Sequence, residues 1–178
     1  IPNTRFGITT PGATFTESTT CFETSTSITL ESSSSVTPDT TVTGFSFEDQ
    51  NNGSYYFLSD SQKNWLEADL DCQSKGGQLV HISDQAENEF VEGIITSNTW
   101  IGLYQNCNLP SEEPDGGWQW TDGTTLDYDN WDEVDVQPND APNNGEDHTT
   151  IRTIGVWHDY NWVNPFHYLM EIEDTYLW

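Results

Sequence analysis

Basic residues are scarce in this chain. Four Lys and Arg stand against 30 Asp and Glu, which gives a formal net charge of −26 at pH 7. No Lys or Arg lies between Lys75 and Arg152. A surface that follows phosphate groups needs clustered positive charge, so nucleic acids and anionic membranes are not expected partners. Cations are the expected ones.

Long apolar runs are missing as well. No stretch approaches the roughly 20 apolar residues that cross a bilayer, so no membrane insertion is expected. The chain opens at Ile1 without a Met, which fits a processed mature chain and equally an arbitrary boundary.

Motifs of known catalytic chemistry are also absent. No Ser lies in a Gly-x-Ser-x-Gly turn, and the four His residues lack the spacing of metalloproteases. We therefore expect no enzyme activity. A carboxylate pair for glycoside hydrolysis is defined by its separation in space, so the sequence leaves that alternative open.

Cysteines are few and odd in number. Cys21, Cys72 and Cys107 have no fixed connectivity. Cys72 lies in an apolar helical stripe and is expected to be a small buried hydrophobic residue. Cys21 and Cys107 either pair and pin the N-terminal segment to the rest or remain separate, because sequence does not give their distance.

Carboxylates and amides are concentrated between Trp131 and Asp159, in a long segment rich in turn-forming residues. So many carboxylates repel one another unless water or a cation separates them, and oxygen ligands suit Ca²⁺. Composition alone is equally typical of a solvated acidic loop.

The remaining patterns predict two helices and several short strands. Ser61 is the expected N-cap of the first helix, whose apolar stripe is Trp65, Ala68 and Cys72. Asp84 caps the second, with Glu87 three residues on. Ala86, Phe90 and Ile94 are expected on its buried face. Short strands follow, so the fold class is α+β. The predicted strands are Tyr55–Leu58, Trp100–Leu103, Trp118–Trp120, Thr149–Ile154 and Tyr168–Ile172.

The order of motifs resembles the C-type lectin family over about residues 53 to 173. That family carries a tripeptide with a central Pro in its long loop, then a Glu-Asp pair, then Trp-Asn-Asp on the next strand. The corresponding residues here are Gln137-Pro138-Asn139, Glu146-Asp147 and Trp157-His158-Asp159. Further landmarks are Gly76-Gly77-Gln78-Leu79-Val80, Glu87-Asn88-Glu89-Phe90, Trp100-Ile101-Gly102-Leu103 and Gly117-Trp118-Gln119-Trp120.

This resemblance implies a C-type lectin-like domain over residues 44–178, with two helices, short antiparallel sheets and a long calcium-binding loop. It also implies a cis peptide bond before Pro138. The implied Ca²⁺ ligands are Gln137, Asn139, Glu146 and Asp159, and a second ion would use Asp140 and Asp147 together with Asp115. The implied sugar contacts are Gln137, Asn139, Glu146, His158 and Asp159. The Gln-Pro-Asn tripeptide is a mixed signature, so no sugar is assigned.

Two departures from the family stand out. His158 replaces an Asn ligand, and an imidazole nitrogen suits a hard cation poorly, so one ligand is expected to be lost. The usual two disulfides are also absent, because Met170, His148 and Trp162 stand at three of the four implied positions.

Residues 1–43 are rich in Ser and Thr and are expected to form an extended arm or stalk separate from the main domain. This segment is either a flexible, O-glycosylated stalk or an extended strand that pairs with the main domain or with another copy. Asn52 heads the one N-glycosylation sequon.

Two hypotheses for function follow. The first is a secreted or surface-exposed module that binds glycans or glycoproteins with calcium, in adhesion or surface recognition. The alternative is a structural protein that keeps the same fold and calcium for stability and assembles head to tail into filaments through its arm.

Overall fold

The structure, a computed structural model, describes residues 42–51, 53–106, 109, 116–140 and 145–173. The predicted arm of residues 1–43 therefore lies almost wholly outside the described residues, as do Cys21, Asn52, Cys107 and Asp115. The elements in chain order are β1 Phe45–Asn51, β2 Ser54–Ser59, α1 Trp65–Ser74, β3 Gln78–Leu79, α2 Gln85–Ile94, β4 Thr99–Gln105, β5 Trp118–Trp120, β6 His148–Ile151, β7 Trp157–Tyr160 and β8 His167–Glu173.

The strands form one sheet in the order β1-β2-β8-β4-β6-β7, to which β3 adds beside β8 and β5 beside β4. Antiparallel pairing was predicted throughout, but β4 and β8 run parallel, with Thr99 opposite His167 and Trp100 opposite Tyr168. Parallel neighbours need a long crossover connection, which the β5 to β7 region supplies. The fold is thus α+β with a mixed sheet.

The first helix begins three residues later than the predicted cap allows. Asn64, not Ser61, is the N-cap, because its side-chain oxygen accepts the backbone N–H of Glu67 at 2.9 Å. Both residue types cap helices well. Trp65 is thus the first residue of the helix. Its side chain is buried, and its indole N–H donates to the Ile101 carbonyl at 2.9 Å.

The second helix begins after Asp84 as predicted, and Phe90 and Ile94 pack against the core as expected, but the rest of its buried face differs from the prediction. Glu87, Asn88 and Val91 are buried, while Ala86 is exposed. Polar residues are tolerated there because each has partners. Glu87 accepts hydrogen bonds from the Tyr56 hydroxyl and from Ser83, at 2.7 and 2.8 Å. Neither described helix is long and apolar enough to span a membrane.

Two strands were missed from the sequence, the long β1 and the two-residue β3. β1 pairs antiparallel with β2, and Asn51 faces Ser54 across the turn. Gly53 in that turn has φ +88°, a left-handed conformation that glycine adopts at little cost. The turn was assigned only as a glycosylation sequon, so the hairpin signal of Asn followed by Gly went unused.

Close packing occupies the position at which the family's first disulfide would lie. Cys72 is a free, fully buried thiol, as predicted, and belongs to the same core cluster as Met170. A Cβ on Gly77 would lie 2.7 Å from Met170 Cγ, so the glycine makes room for this larger side chain.

Aromatic packing occupies the second disulfide position. The His148 ring lies 4.5 Å from the Trp65 ring and 6.4 Å from that of Tyr104, centroid to centroid. Trp162 packs in the same region, and its backbone carbonyl accepts the backbone N–H of Trp65 at 3.0 Å. The Nδ1 atom of His148 is buried without a hydrogen-bond partner, and burial lowers the pKa of His148 to about 3.

This histidine should make the fold sensitive to acid. A folded-state pKa below the unfolded value of about 6.5 favours the neutral ring, so the stabilisation is complete above pH 6.5 and is lost as the pH falls towards 3. We expect wild type to lose about 3 kcal/mol more unfolding free energy than His148→Phe between pH 7 and pH 4. Urea unfolding at both pH values measures this difference. His148→Gln lacks a titrating ring and should follow the Phe variant; equal losses in all three chains would contradict the prediction.

Candidate functional site

Trp157 anchors the strand that faces the long loop. Its side chain is fully buried, and Trp120, Tyr128 and Trp131 pack edge-on against it with ring centroids 5.7 to 5.9 Å away. Such edge-to-face packing stabilises aromatic pairs beyond their buried area. The backbone of Trp157 also bonds to the residues on either side of Trp131: its N–H donates to Asn130 and its carbonyl accepts from Asp132. Strand and loop base are thereby fixed together.

Asn88 joins this strand to α2. The Trp157 indole N–H donates to Asn88 Oδ1 at 2.8 Å, and Asn88 Nδ2 donates to the Gly155 carbonyl at 2.9 Å. Gly155 turns the chain between β6 and β7 with φ +79°. A buried asparagine thus connects helix, turn and strand immediately before His158 and Asp159.

Asp159 is the centre of the predicted calcium group. The residue is 2% exposed, and its Oδ2 accepts the backbone N–H groups of Asn139 and Asp140 at 3.0 and 2.7 Å. Burial raises the pKa of Asp159, and these two hydrogen bonds offset part of the rise. Its other oxygen, Oδ1, is buried without a hydrogen-bond partner. A cation bound to that atom would satisfy it.

The tripeptide lies directly against Asp159. The Gln137-Pro138 peptide bond is cis, as the resemblance implies. Gln137 Oε1 accepts the Asp159 backbone N–H at 3.4 Å. Asp140 has φ +37°, and its Oδ1 accepts the Glu146 backbone N–H at 3.2 Å. Gln137, Asn139, Asp140, Glu146 and Asp159 are therefore brought together, largely through backbone contacts.

Asp147 is attached to the sheet next to this group. Its carbonyl accepts the backbone N–H of Gln105, the last residue of β4, at 2.8 Å. The chain thus leaves the loop at Glu146 and enters the sheet within one residue.

His158 belongs to a different group. Its Nε2 lies 3.0 Å from Asp132 Oδ2, 3.1 Å from Arg152 Nη1 and 3.8 Å from Asp135 Oδ2. The hydrogen bond from His158 is the main cause that lowers the pKa of Asp132, and backbone N–H groups add to it. His158 and Asp159 follow one another on a strand, so their side chains leave opposite faces.

Asp132 shapes the first part of the loop. Its Oδ1 accepts the N–H groups of Val134 and Asp135 at 2.9 and 3.2 Å, and its carbonyl accepts the Gln137 N–H at 2.9 Å. Side-chain bonds of this kind build turns. They fix the backbone that leads into the tripeptide.

Sequence reasoning missed Asp132, Asp135 and Arg152 as one group. A usable signal existed, because Arg152 is the first basic residue after Lys75. Thr150 faces His158 across the β6–β7 pair, and Arg152 follows Thr150 by two, the period of a strand. That register places Arg152 and His158 on one face of the hairpin, a consequence that sequence reasoning did not draw.

A model of the Lectin C-type domain matches residues 61–168, more than half of the chain. The chain belongs to the C-type lectin family. It is 33% identical to human regenerating islet-derived protein 3-gamma over 129 residues, covering 67% of this chain and 71% of that protein. It is 34% identical to rat asialoglycoprotein receptor 1 over 128 residues, covering 68% of this chain and 42% of that protein.

Another relative is far longer than the matched segment. Identity to the human secretory phospholipase A2 receptor is 40% over 88 residues, which is 47% of this chain and only 6% of that receptor. The activities of such a whole receptor therefore do not transfer to this chain.

Solved structures agree with the fold. The carbohydrate-recognition domain of cow CD23, in the presence of an oligosaccharide, has 25% identity and a TM-score of 0.63, covering 76% of this chain and 97% of that one. A calcium-independent type II antifreeze protein has 21% identity and a TM-score of 0.60, covering 75% and 94%, which shows likeness of fold alone.

The link through Asn88 can be tested. Asn88→Ala leaves the buried Trp157 indole N–H without an acceptor, which should lower the unfolding free energy by about 1–3 kcal/mol. Urea unfolding followed by Trp fluorescence gives this value. Asn98→Ala, at a partly exposed asparagine, should change stability by less than about 0.5 kcal/mol. Equal effects of the two substitutions would contradict the anchoring role of Asn88.

Proposed function

We propose that this chain is an extracellular, calcium-dependent carbohydrate-binding module that acts in adhesion or surface recognition. The observation that carries the proposal is the Asp159 carboxylate, which is buried beside the Gln137–Asn139 tripeptide with one oxygen unpaired. An unpaired buried carboxylate oxygen is costly, and a cation is the partner that most fully offsets the cost.

The donor set fits calcium. Gln137, Asn139, Glu146 and Asp159 offer amide and carboxylate oxygens, which are the ligands that Ca²⁺ prefers. When bound, the ion would supply positive charge and open coordination positions to two neighbouring sugar hydroxyls. Asp140 and Asp147 remain the proposed ligands of a second ion. Those two residues lie one position from Asn139 and Glu146, respectively.

The chain's own residues would orient the sugar. The amide groups of Gln137 and Asn139 would donate hydrogen bonds to the sugar hydroxyls that also bind the ion, and the Glu146 carboxylate would accept one. Selectivity would come from the geometry of these shared contacts. The predicted sugar contact at His158 stays a prediction, and the proposed site does not depend on it, because the His158 side chain leaves the opposite face of β7 and its Nε2 contacts Asp132. The similarity to an asialoglycoprotein receptor supports glycoproteins as ligands.

A binding role is favoured over catalysis because the matching family model is a lectin domain and the relatives named above include two receptors. The same relatives support a secreted or surface location. Self-assembly through the arm of residues 1–43 remains a separate prediction, since it depends on residues beyond those described.

Calcium should stabilise the folded chain. At a hundredfold excess over Kd, a ligand that binds only the folded state adds about 2.7 kcal/mol to the unfolding free energy. We expect EDTA to lower the melting temperature of wild type and to lower that of Asp159→Asn by much less, since only the proposed second ion could then be removed. Differential scanning calorimetry with and without millimolar calcium measures both.

The exposed Asp127 provides a matched control. Asp127→Asn removes the same charge and should keep the calcium response. A glycan array probed in calcium and in EDTA then tests the sugar. An equal melting temperature of wild type with and without EDTA would contradict the calcium site. Calcium binding without any glycan signal would favour the structural alternative.

A further inference from the structure

Three ligand-type atoms meet on the opposite face of β7 from Asp159. Asp132 Oδ2, Asp135 Oδ2 and His158 Nε2 all lie within 4.8 Å of one another, a separation at which three such atoms could ligate one metal ion. Asp132 and His158 are buried, and Asp135 is exposed. The cluster would therefore be open to solvent on one side only.

A cation from the chain itself already occupies this place. Arg152 Nη1 lies 3.1 Å from His158 Nε2, 3.2 Å from Asp135 Oδ2 and 3.7 Å from Asp132 Oδ2. One guanidinium nitrogen thus stands over all three atoms. Its charge partly balances the two carboxylates, as a metal ion would.

A metal ion could enter this cluster only by displacing the guanidinium, because Arg152 Nη1 lies within 3.7 Å of all three ligand atoms. The same nitrogen donates a hydrogen bond to Asp135 Oδ2.

The Arg152 contact ties two backbone segments together. Arg152 belongs to the β6–β7 turn, where its N–H donates to the Val156 carbonyl and its own carbonyl accepts the Gly155 N–H. Asp135 lies in the turn that Asp132 caps, immediately before the tripeptide. Removing the guanidinium would leave two carboxylates repelling each other across that junction.

We propose that Arg152 is a positioning residue that replaces a bound ion and holds residues 132–137 against the β6–β7 turn before calcium arrives. Gln137 and Asn139 then meet Asp159 in the unliganded protein, and calcium binding need not order that segment. A preformed segment costs less entropy on binding, which raises affinity. The effect on calcium rests on the proposed function, whereas the order of the segment does not.

The experiment compares full-length wild type, Arg152→Gln, Arg152→Lys and Lys75→Gln. Lys75 pairs with Asp71 at 2.7 Å, away from the loop, so Lys75→Gln makes the same change in net charge. Amide hydrogen exchange in EDTA is followed at Val134, Asp135 and Gln137, with Trp157 as internal reference. Isothermal calorimetry gives the calcium Kd.

We expect Arg152→Gln to lower protection at the three loop amides at least tenfold and to leave that of Trp157 unchanged. Calcium Kd should rise five- to twentyfold. Arg152→Lys should recover part of both, since Lys keeps the charge without the fork of donors. Lys75→Gln should match wild type in both measurements.

Two results would overturn the inference. One is unchanged loop protection in Arg152→Gln. The other is tighter calcium binding in that variant, which would show that Arg152 competes with the ion. If protection is lost equally at Trp157, Asp135→Asn decides, because its side chain is 54% exposed and its loss spares the hairpin. Asp135→Asn should then lower protection at the loop amides alone, and protection equal to wild type there overturns the inference. If wild type binds no calcium, the proposed function fails, and hydrogen exchange alone decides the role of Arg152.

Discussion

The burial of Trp157 is the constraint on which the loop region depends. Three aromatic rings enclose its indole, Asn88 accepts its one polar hydrogen, and its backbone bonds to both sides of Trp131. Because that side chain can sit in only one place, the two residues after it are directed to opposite faces of β7. One face receives the tripeptide through Asp159, and the other receives the Asp132 turn through His158.

The few positive charges of this acidic chain are all paired in the part that the structure describes. The three basic residues within the described ranges all touch carboxylates: Lys63 and Lys75 share Asp71 at 2.7 Å each, and Arg152 lies between Asp132 and Asp135. Burial by itself would raise the pKa of Asp71, but hydrogen bonds from both lysines lower it to about 2. The positive charges therefore serve to hold structure at two points, and the rest of the surface stays anionic, which suits cations as ligands.

Sequence reasoning reached the fold because its signals are local. The glycines after α1, the Asp84 cap and the spacing of the three loop motifs each act over a few residues, and the family follows from their order. It did not reach the parallel β4–β8 pair, the buried polar face of α2 or the Arg152 group. Each of these depends on which residues meet across long separations. Glu87 and Asn88 look exposed in the sequence because their partners, Tyr56 and Trp157, lie far along the chain.

The packing of His148 and Met170 makes this part of the fold independent of disulfide bonds. Cys72 is the one free thiol in the described parts of the chain, and Gly77 leaves space for a methionine thioether where a sulfur–sulfur bond would otherwise lie. Cohesion between α1 and β8, and between β6 and the segment around Trp162, is thus entirely noncovalent. Thiol reductants leave such contacts untouched, so this region of the lectin fold should be indifferent to redox conditions, inside a cell or outside it.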